Sequence, residues 1–483
     1  MANQVKSFNG VAIGNIKNIN GLTDANIKNI NGQEFTGSIP PDAFAITNYT
    51  FNTNRSWGTQ MAWCQETDTL VVVYGDDGNG DYPSYRLGKL SASTGDVTIT
   101  WQSENTISTA GAAYHNQAVF MSGESSSGNG RIGLVYLESG AGATNRYSIA
   151  FGTITNSGST PSMSVGTPEV IHPTSSGTYN QGDVSSIARY WEDMGAVVTA
   201  LEYGDDTSGQ VDGNFVKAFK MDTSDNSVIS TGANELEFAD TTFEFYNLEY
   251  DSAINRLVVF YYITDQPSSS DKSIYGNILD FDSSSTNGLT LELEFSLPGT
   301  YCFNGATASG YDAGPWCAYN SSANIHHVLH NDQGDAVKKV QNVKISGSDG
   351  SFTMDPHTTY ELAVSSYMTN YTSIWYNHHR GMLGVIGSNQ SRSSAGSGGS
   401  SIYAGGYKFT EDTSTEANST FSLNGSIQTV KISSHDLFYG RYLGMQQTMH
   451  GSDMHTGNFG AIMPFYGGDQ GQEGVMIGFD TGG

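Results

Sequence analysis

Cysteine is nearly missing from this sequence of 483 residues, in which Cys64, Cys302 and Cys317 are the whole complement. Three thiols make no disulfide framework of the kind that staples small secreted domains, and they fit assembly in a reducing cytoplasm. Charge is scarce too. Only 14% of the residues are Asp, Glu, Lys or Arg, against a usual share of about 25%, so long helices with salt-bridged outer faces are not expected. Basic residues are the scarcest of these, 21 against 48 acidic ones, for a net charge of −27. A field of that sign repels phosphate backbones and anionic lipid, which excludes nucleic acid as a partner. No apolar run approaches the roughly 18 residues that cross a bilayer. The opening Met1-Ala-Asn-Gln-Val-Lys6 lacks the apolar stretch of a signal peptide, so membrane insertion is not expected.

Glycine, with 58 residues, is abundant, and hydrophobic residues make up 37% of the chain. That is enough apolar content for a core and too much for wholesale disorder. The expected fold class is all-β and rich in loops.

Residues 5–37 contain a repeat of eleven: Val5-Lys-Ser-Phe-Asn-Gly10, Ile16-Lys-Asn-Ile-Asn-Gly21 and Ile27-Lys-Asn-Ile-Asn-Gly32. An eleven-residue period also suits a right-handed helical coil. The Asn-Gly at each repeat centre argues against that, since it favours tight turns and costs a helix about 1 kcal/mol at each Gly. Short β-arcs are the expectation. Roughly eight apolar side chains at ~1.5–3 kcal/mol each do not offset ~1–2 kcal/mol of backbone entropy per residue over about thirty residues. The segment therefore has to dock on another surface or on copies of itself, and Val5, Phe8, Ile16, Ile19, Ile27 and Ile30 are its candidate anchoring residues. Gly37-Ser-Ile-Pro-Pro-Asp42 follows as a stiff linker.

With its Ile-x-x-Ile-Asn-Gly repeats, the opening Val5 to Gly21 resembles the N-terminus of structural proteins from tailed bacteriophages, especially marine and cyanobacterial ones. The resemblance covers the repeat segment alone. It implies a virion component, assembled in the host cytoplasm and bound to other virion proteins, and it identifies no enzyme.

From residue 43 a longer period takes over. An aromatic residue ends one strand, a polar turn follows, and eight residues later the chain is inside an apolar strand: Trp63 to Val71, Tyr190 to Val198, Tyr250 to Val258, Tyr319 to His327 and Tyr376 to Gly384. Weaker copies lie at Arg131-Ile-Gly-Leu-Val-Tyr136 and Gly460-Ala-Ile-Met-Pro-Phe465. Apolar second strands between alternating neighbours are what radially arranged four-stranded blades require. The expectation is a seven-bladed β-propeller over residues 43–483, preceded by an N-terminal β-repeat anchor (1–36) and a linker (37–42). Gly474–Phe479 takes a third-strand place in the last blade, and residues 45–51 alternate like a missing fourth strand, so they are expected to pair and close the ring. Six or eight blades, or a pair of β-sandwiches, are the alternatives.

Chemistry-bearing motifs are few. Asp77, Asn79 and Asp81 alternate as the start of a Ca²⁺ loop would, but Tyr82 and Gly88 stand where an EF-hand has Gly and Glu. Gly204-Asp-Asp-Thr-Ser-Gly209 recurs after another apolar strand, which favours a shared solvated turn; no cofactor is expected, with Ca²⁺ at Asp77, Asn79 and Asp81 the alternative. His326, His327 and His330, the pair His378 and His379, and His450 with Asp453 and His455 are imidazole clusters of zinc-ligand type. Strand alternation sends His326 and His327 to opposite faces, so structural histidines are the better reading. Propellers include sialidases, which need an arginine cluster, and glycosidases, which need two carboxyls at defined separation. The chain has nine arginines and no Ser-x-Asp-x-Gly-x-x-Trp motif. Tyr82, Tyr85, Tyr301, Trp316, Trp375 and Tyr376 are candidate stacking residues for a surface ligand.

Together these observations lead to an expected non-enzymatic virion protein with no catalytic residue, in which the repeats dock a propeller that binds proteins or a host-surface glycan. Self-association through residues 5–37 is a second route for the repeats. The alternative function is a carbohydrate-binding or glycan-cleaving tail protein.

Overall fold

The computed structural model describes residues 47–54, 56–67, 69–93, 96–122, 129–140, 143–157, 160–173, 186–205, 210–229, 235–239, 246–262, 273–282, 288–301, 317–331, 338–363, 370–377, 382–388, 401–412, 419–431, 461–466 and 474–479, together with six two-residue strands before residue 35. Among these residues the fold is all-β, with two single 3-10 turns at Gln65–Thr67 and Asp77–Asn79.

The six short strands form three separate pairs. Ser7–Phe8 runs antiparallel to Val11–Ala12, Asn18–Ile19 to Leu22–Thr23, and Asn29–Ile30 to Gln33–Glu34. Phe8 lies opposite Val11, Ile19 opposite Leu22 and Ile30 opposite Gln33, so each connection is the two residues Asn-Gly. The expected β-arcs are therefore hairpins. A two-residue Asn-Gly loop returns the chain beside itself in one sheet, whereas an arc would carry it to a second sheet.

The remaining strands form up-and-down antiparallel sheets, numbered here in chain order. Sheet 1 is Ser56–Cys64, Thr69–Asp76, Tyr82–Ser93 and Asp96–Trp101; sheet 2 runs from Ala112–Phe120 through Gly130–Gly140 and Ala143–Ser157 to Thr160–Val165. Sheet 3 begins with Ser186–Trp191 and Ala196–Asp205, sheet 4 with Tyr246–Asp251 and Arg256–Tyr262, sheet 5 with Cys317–Asn320 and Ile325–Asn331, and sheet 6 with Asn370–Asn377 and Met382–Ser388. Sheets 4 and 5 touch at their edges through one pair, Tyr301 with Asn331. The last sheet orders Ala461–Tyr466, Gly474–Phe479 and Thr47–Asn52, so a strand from near the chain start pairs with one from near its end.

First strands pack on one another in succession from sheet 1 to sheet 6, and Ala461–Tyr466 packs back against Ser56–Cys64 of sheet 1. This cyclic order makes the body a propeller-like ring with the first strands innermost. Apolar clusters fill the spaces between neighbouring sheets. Val71 and Val73 meet Ile132 and Leu134 between sheets 1 and 2, Val198 meets Val259 between 3 and 4, and Phe260 meets Val328 between 4 and 5. The second strands are buried on both faces, which is why they read as unbroken apolar runs.

The eight-residue spacing has a local cause. In sheets 3, 4 and 5 a four-residue turn joins the first strand to the second, and its last residue is Gly195, Asn255 or Asn324, with φ of 62°, 55° and 54°. Glycine and asparagine are the residues that tolerate this left-handed conformation. The aromatic fastens the turn: Tyr250 donates its hydroxyl to Asn255 Oδ1 at 3.1 Å, and Tyr319 donates to Asn324 Oδ1 at 3.3 Å.

Candidate functional site

Strand register shows where the repeat breaks its own rule. The aromatic at the end of the first strand lies opposite an aliphatic residue in four sheets: Trp63 opposite Leu70, Tyr190 opposite Val197, Tyr250 opposite Leu257 and Tyr376 opposite Leu383. In sheet 5 Tyr319 lies opposite His326 instead. The residue before the aromatic is Ala62, Arg189, Glu249, Ala318 or Trp375, so opposite charges stand at this place on the adjacent sheets 3 and 4. A sequence departs from a local pattern where something else is being specified. Here the departures gather on the first strands of sheets 3 and 4 and the second strand of sheet 5.

Side chains from sheets 4 and 5 meet in one buried line. His326 Nε2 is 2.9 Å from Asp251 Oδ2, and His326 Nδ1 is 3.6 Å from Cys317 Sγ. All three residues are closed to solvent. Asp251 Oδ1 accepts the backbone N–H of Ala253 at 2.9 Å, and the Tyr319 ring lies against the imidazole with centroids 4.9 Å apart. Burial pushes the Asp251 carboxyl up, but the hydrogen bond and charge of His326 outweigh it and hold Asp251 below the usual carboxylate range. Burial drives the Cys317 thiol well above its ordinary value, and the charges of Glu249 and Asp251 add to that.

Beside this line, Arg189 Nη2 and Glu249 Oε1 are 3.8 Å apart, an ion pair too long for a hydrogen bond. Arg189 Nη1 donates to its neighbour's carbonyl, Ala188 O, at 2.8 Å, while Arg189 Nε and Nη2 and Glu249 Oε1 have no hydrogen-bond partner among the described residues. Burial pushes Glu249 up to about 7 against the pull of Arg189, and it lowers Arg189 against the pull of Glu249. Desolvation outweighs attraction on both sides of the pair.

The order Cys317, His326, Asp251 is that of a nucleophile, a base and an orienting carboxylate. What the arrangement can do is limited by access and protonation. A thiol held this far up stays protonated, and a reacting carbon has no route to a sulfur with no exposed surface. Glu249 and Asp251 pose the same question for acid–base work, being two residues apart on one strand with proton affinities pushed in opposite directions. Both are buried, and Asp251 is already occupied by His326 and Ala253. As placed, the cluster is a polar clasp between sheets 4 and 5 with a charged pair beside it.

The sequence-derived candidates fall elsewhere. Asp77 is exposed on its 3-10 turn, Asp81 has a φ of 61°, and the Asn79 amide donates to Ser84 Oγ at 2.9 Å and Glu104 Oε1 at 2.8 Å. The carboxylate that organises this loop is the buried Asp76, which accepts from Asn52 Nδ2 at 2.7 Å. Tyr85 is corrected from surface residue to core: it is buried, and its hydroxyl donates to Met163 O at 3.3 Å across sheets 1 and 2. Tyr376 is likewise buried, packed on His327. Tyr82 is half-buried. Tyr301 and Trp375 are placed by their backbones alone. Trp316, Val5, Ile16 and Ile27 lie outside the described residues, while Phe8, Ile19 and Ile30 sit in the hairpin strands.

His326 and His327 face opposite ways, the first toward Asp251 and the second toward Asn342 Oδ1, 2.7 Å from its Nδ1. His378, His379, His450, Asp453 and His455 lie outside the described residues. Asp280, Glu292 and Asp349 converge as cation ligands would, but Arg256 occupies the middle, with its Nε 2.9 Å from Asp280 Oδ1 and a second nitrogen on Asp349.

Sequence reading missed Arg189, Glu249, Asp251 and Cys317. Aligning the five copies on their aromatic residues would have shown all but Cys317 as charged intruders.

No family model and no curated protein matches the chain. Among solved structures it is similar to a glucose dehydrogenase, with 9% identity, a TM-score of 0.39, and 70% of this chain and 95% of that one covered. It is similar to the Trypanosoma rangeli sialidase in complex with the inhibitor DANA, with 9% identity, a TM-score of 0.37, and coverage of 82% and 60%. A polysaccharide lyase, an ulvan lyase, matches with 10% identity, a TM-score of 0.36, and coverage of 77% and 80%. The expectation of a non-enzymatic protein is corrected by these neighbours, all three of which are enzymes. The small number of arginines and the lack of the turn motif in the sequence leave catalysis as a class standing. At such identity and TM-score the likeness assigns no reaction or substrate to this chain.

Proposed function

We propose that this chain recognises an uncharged glycan through aromatic residues of its body, residues 43–483, and is held on a tailed-phage virion by the hairpins of residues 1–36, with 37–42 as linker. The observation that carries the choice of ligand is where the cations go. Arg131 contacts Thr153 and Thr223, Arg146 pairs with Glu138, Arg189 with Glu249, and Arg256 with Asp280 and Asp349. With these four of the nine arginines set against protein groups in a body of strong negative charge, a carboxylated or sulfated sugar meets repulsion. Serine, threonine, asparagine and tyrosine, abundant here, suit hydroxyl groups and sugar rings, and Tyr82, Tyr301, Trp316 and Trp375 are the stacking residues of this reading. The hairpins support attachment, because two-stranded pairs of this size are not stable by themselves.

The full chain should be tested on immobilised neutral, sialylated and sulfated glycans side by side, with every bound glycan then assayed for newly released reducing ends. Retention on neutral glycans is the expected result. Binding confined to anionic glycans, or to none, overturns the reading. Release of reducing ends makes the chain a glycan-cleaving protein, and binding without release makes it a lectin. Labelled antibody against the propeller should decorate purified virions, and bare particles would remove the virion from the account.

A further inference from the structure

The N-terminal hairpins and the charge of the body point to the same partner. Residues 1–42 carry Lys6, Lys17 and Lys28 against Asp24, Glu34 and Asp42, a net charge of zero, so the whole −27 belongs to residues 43–483. Two bodies with that charge repel at close range, and the neutral segment is where copies meet at least electrostatic cost. Within the chain the three hairpins are separate two-stranded sheets, and among the described residues none pairs with another or with the ring. Among the described residues, neither outer edge of any hairpin carries a further strand.

The edges also match one another. Phe8 opposite Val11, Ile19 opposite Leu22 and Ile30 opposite Gln33 recur at a fixed step of eleven residues. Copies lying side by side in parallel thus set each hairpin beside the same hairpin of the next copy, first-strand edge to second-strand edge, the heterologous contact from which a closed ring is built.

We infer that the hairpin array joins copies of this chain into an oligomer by edge-to-edge pairing, gathering several propellers on one stalk. The inference does not depend on the ligand of the propeller. It adds a consequence to that reading, because linked heads bind a repetitive glycan surface more tightly than single ones by a factor of about a hundred or more.

The test is sedimentation equilibrium of the full chain across a wide concentration range at low and high salt. The expected mass is an integral multiple of the 51.7 kDa chain. Association should tighten as salt rises, because screening relieves repulsion between the bodies. Two double variants, Ile19→Asp with Ile30→Asp and Gly21→Val with Gly32→Val, should sediment as single chains while the propeller melts at an unchanged temperature. Their avidity for a glycan-coated surface should fall about a hundredfold at unchanged single-site affinity. A wild-type chain that stays monomeric overturns the inference, as does a variant that keeps the wild-type mass. A mass that falls with added salt overturns it too, since that marks an ion-pair interface. Failure of glycan binding with the oligomer intact would strike the proposed function and leave this inference standing.

Discussion

The junction between sheets 1 and 2 and the junction between sheets 4 and 5 use one backbone register for two kinds of adhesion. Between sheets 1 and 2 the fit is apolar and close. Val71 and Val73 pack on Ile132 and Leu134, and Gly75 lets the backbone of the next sheet come so near that an added Cβ would lie 2.2 Å from Ala113 O. Between sheets 4 and 5 an aliphatic place is given to His326, which is useful only with Asp251 and Cys317 beside it. An apolar junction degrades in proportion to the area it loses, whereas a buried polar one fails when a single partner is removed.

The largest effect is therefore expected from Asp251→Ala, which removes the buried acceptor of His326 and one of the two acceptors of the Ala253 N–H and should cost about 3–5 kcal/mol in urea unfolding. The double variant Asp251→Leu with His326→Leu returns the site to the repeat's apolar rule and should cost less than Asp251→Ala alone. Additive losses would show that no such clasp exists.

Glu249 comes next. The folded protein keeps its proton up to about 7, whereas the ordinary value is 4.5, so folding takes up a proton between these values and stability falls as pH rises through that window. The fall is on the order of 3 kcal/mol, and Glu249→Gln should flatten it in urea titrations across the same range. Asp251 has the opposite sign: its contribution is present above the ordinary carboxylate value and is lost as pH falls through its depressed folded one.

Gly75→Ala tests the apolar side. Its Cβ meets backbone rather than a movable side chain, and a loss of about 1–3 kcal/mol in thermal unfolding is expected. Smallest is Tyr250→Phe, which removes the hydroxyl from Asn255 and should cost about 1 kcal/mol. No change there would detach the aromatic from the turn it is said to fasten.

The all-β class and the repeat were legible in the chain because their causes are local. An aromatic, a four-residue turn ending in Gly195, Asn255 or Asn324, and a strand buried on both faces each leave a mark within ten residues. Asn-Gly named the hairpin turns, but the pairing Phe8 to Val11 distinguishes a hairpin from an arc only in space. The clasp was hidden for the same reason. Asp251 and His326 are 75 residues apart, and nothing local to either says that adjacent sheets will bring them to 2.9 Å. Tyr85 and Tyr376 look like exposed stacking residues by type, and burial between sheets is what makes them core.

The most direct measurement is alkylation of the native full chain near neutral pH, with each cysteine followed by peptide mass spectrometry. If Cys317, His326 and Asp251 form a closed clasp, Cys317 stays unlabelled until urea unfolds the ring. Labelling of Cys317 in the folded protein faster than a free cysteine would contradict the account and make this line of residues a working nucleophile.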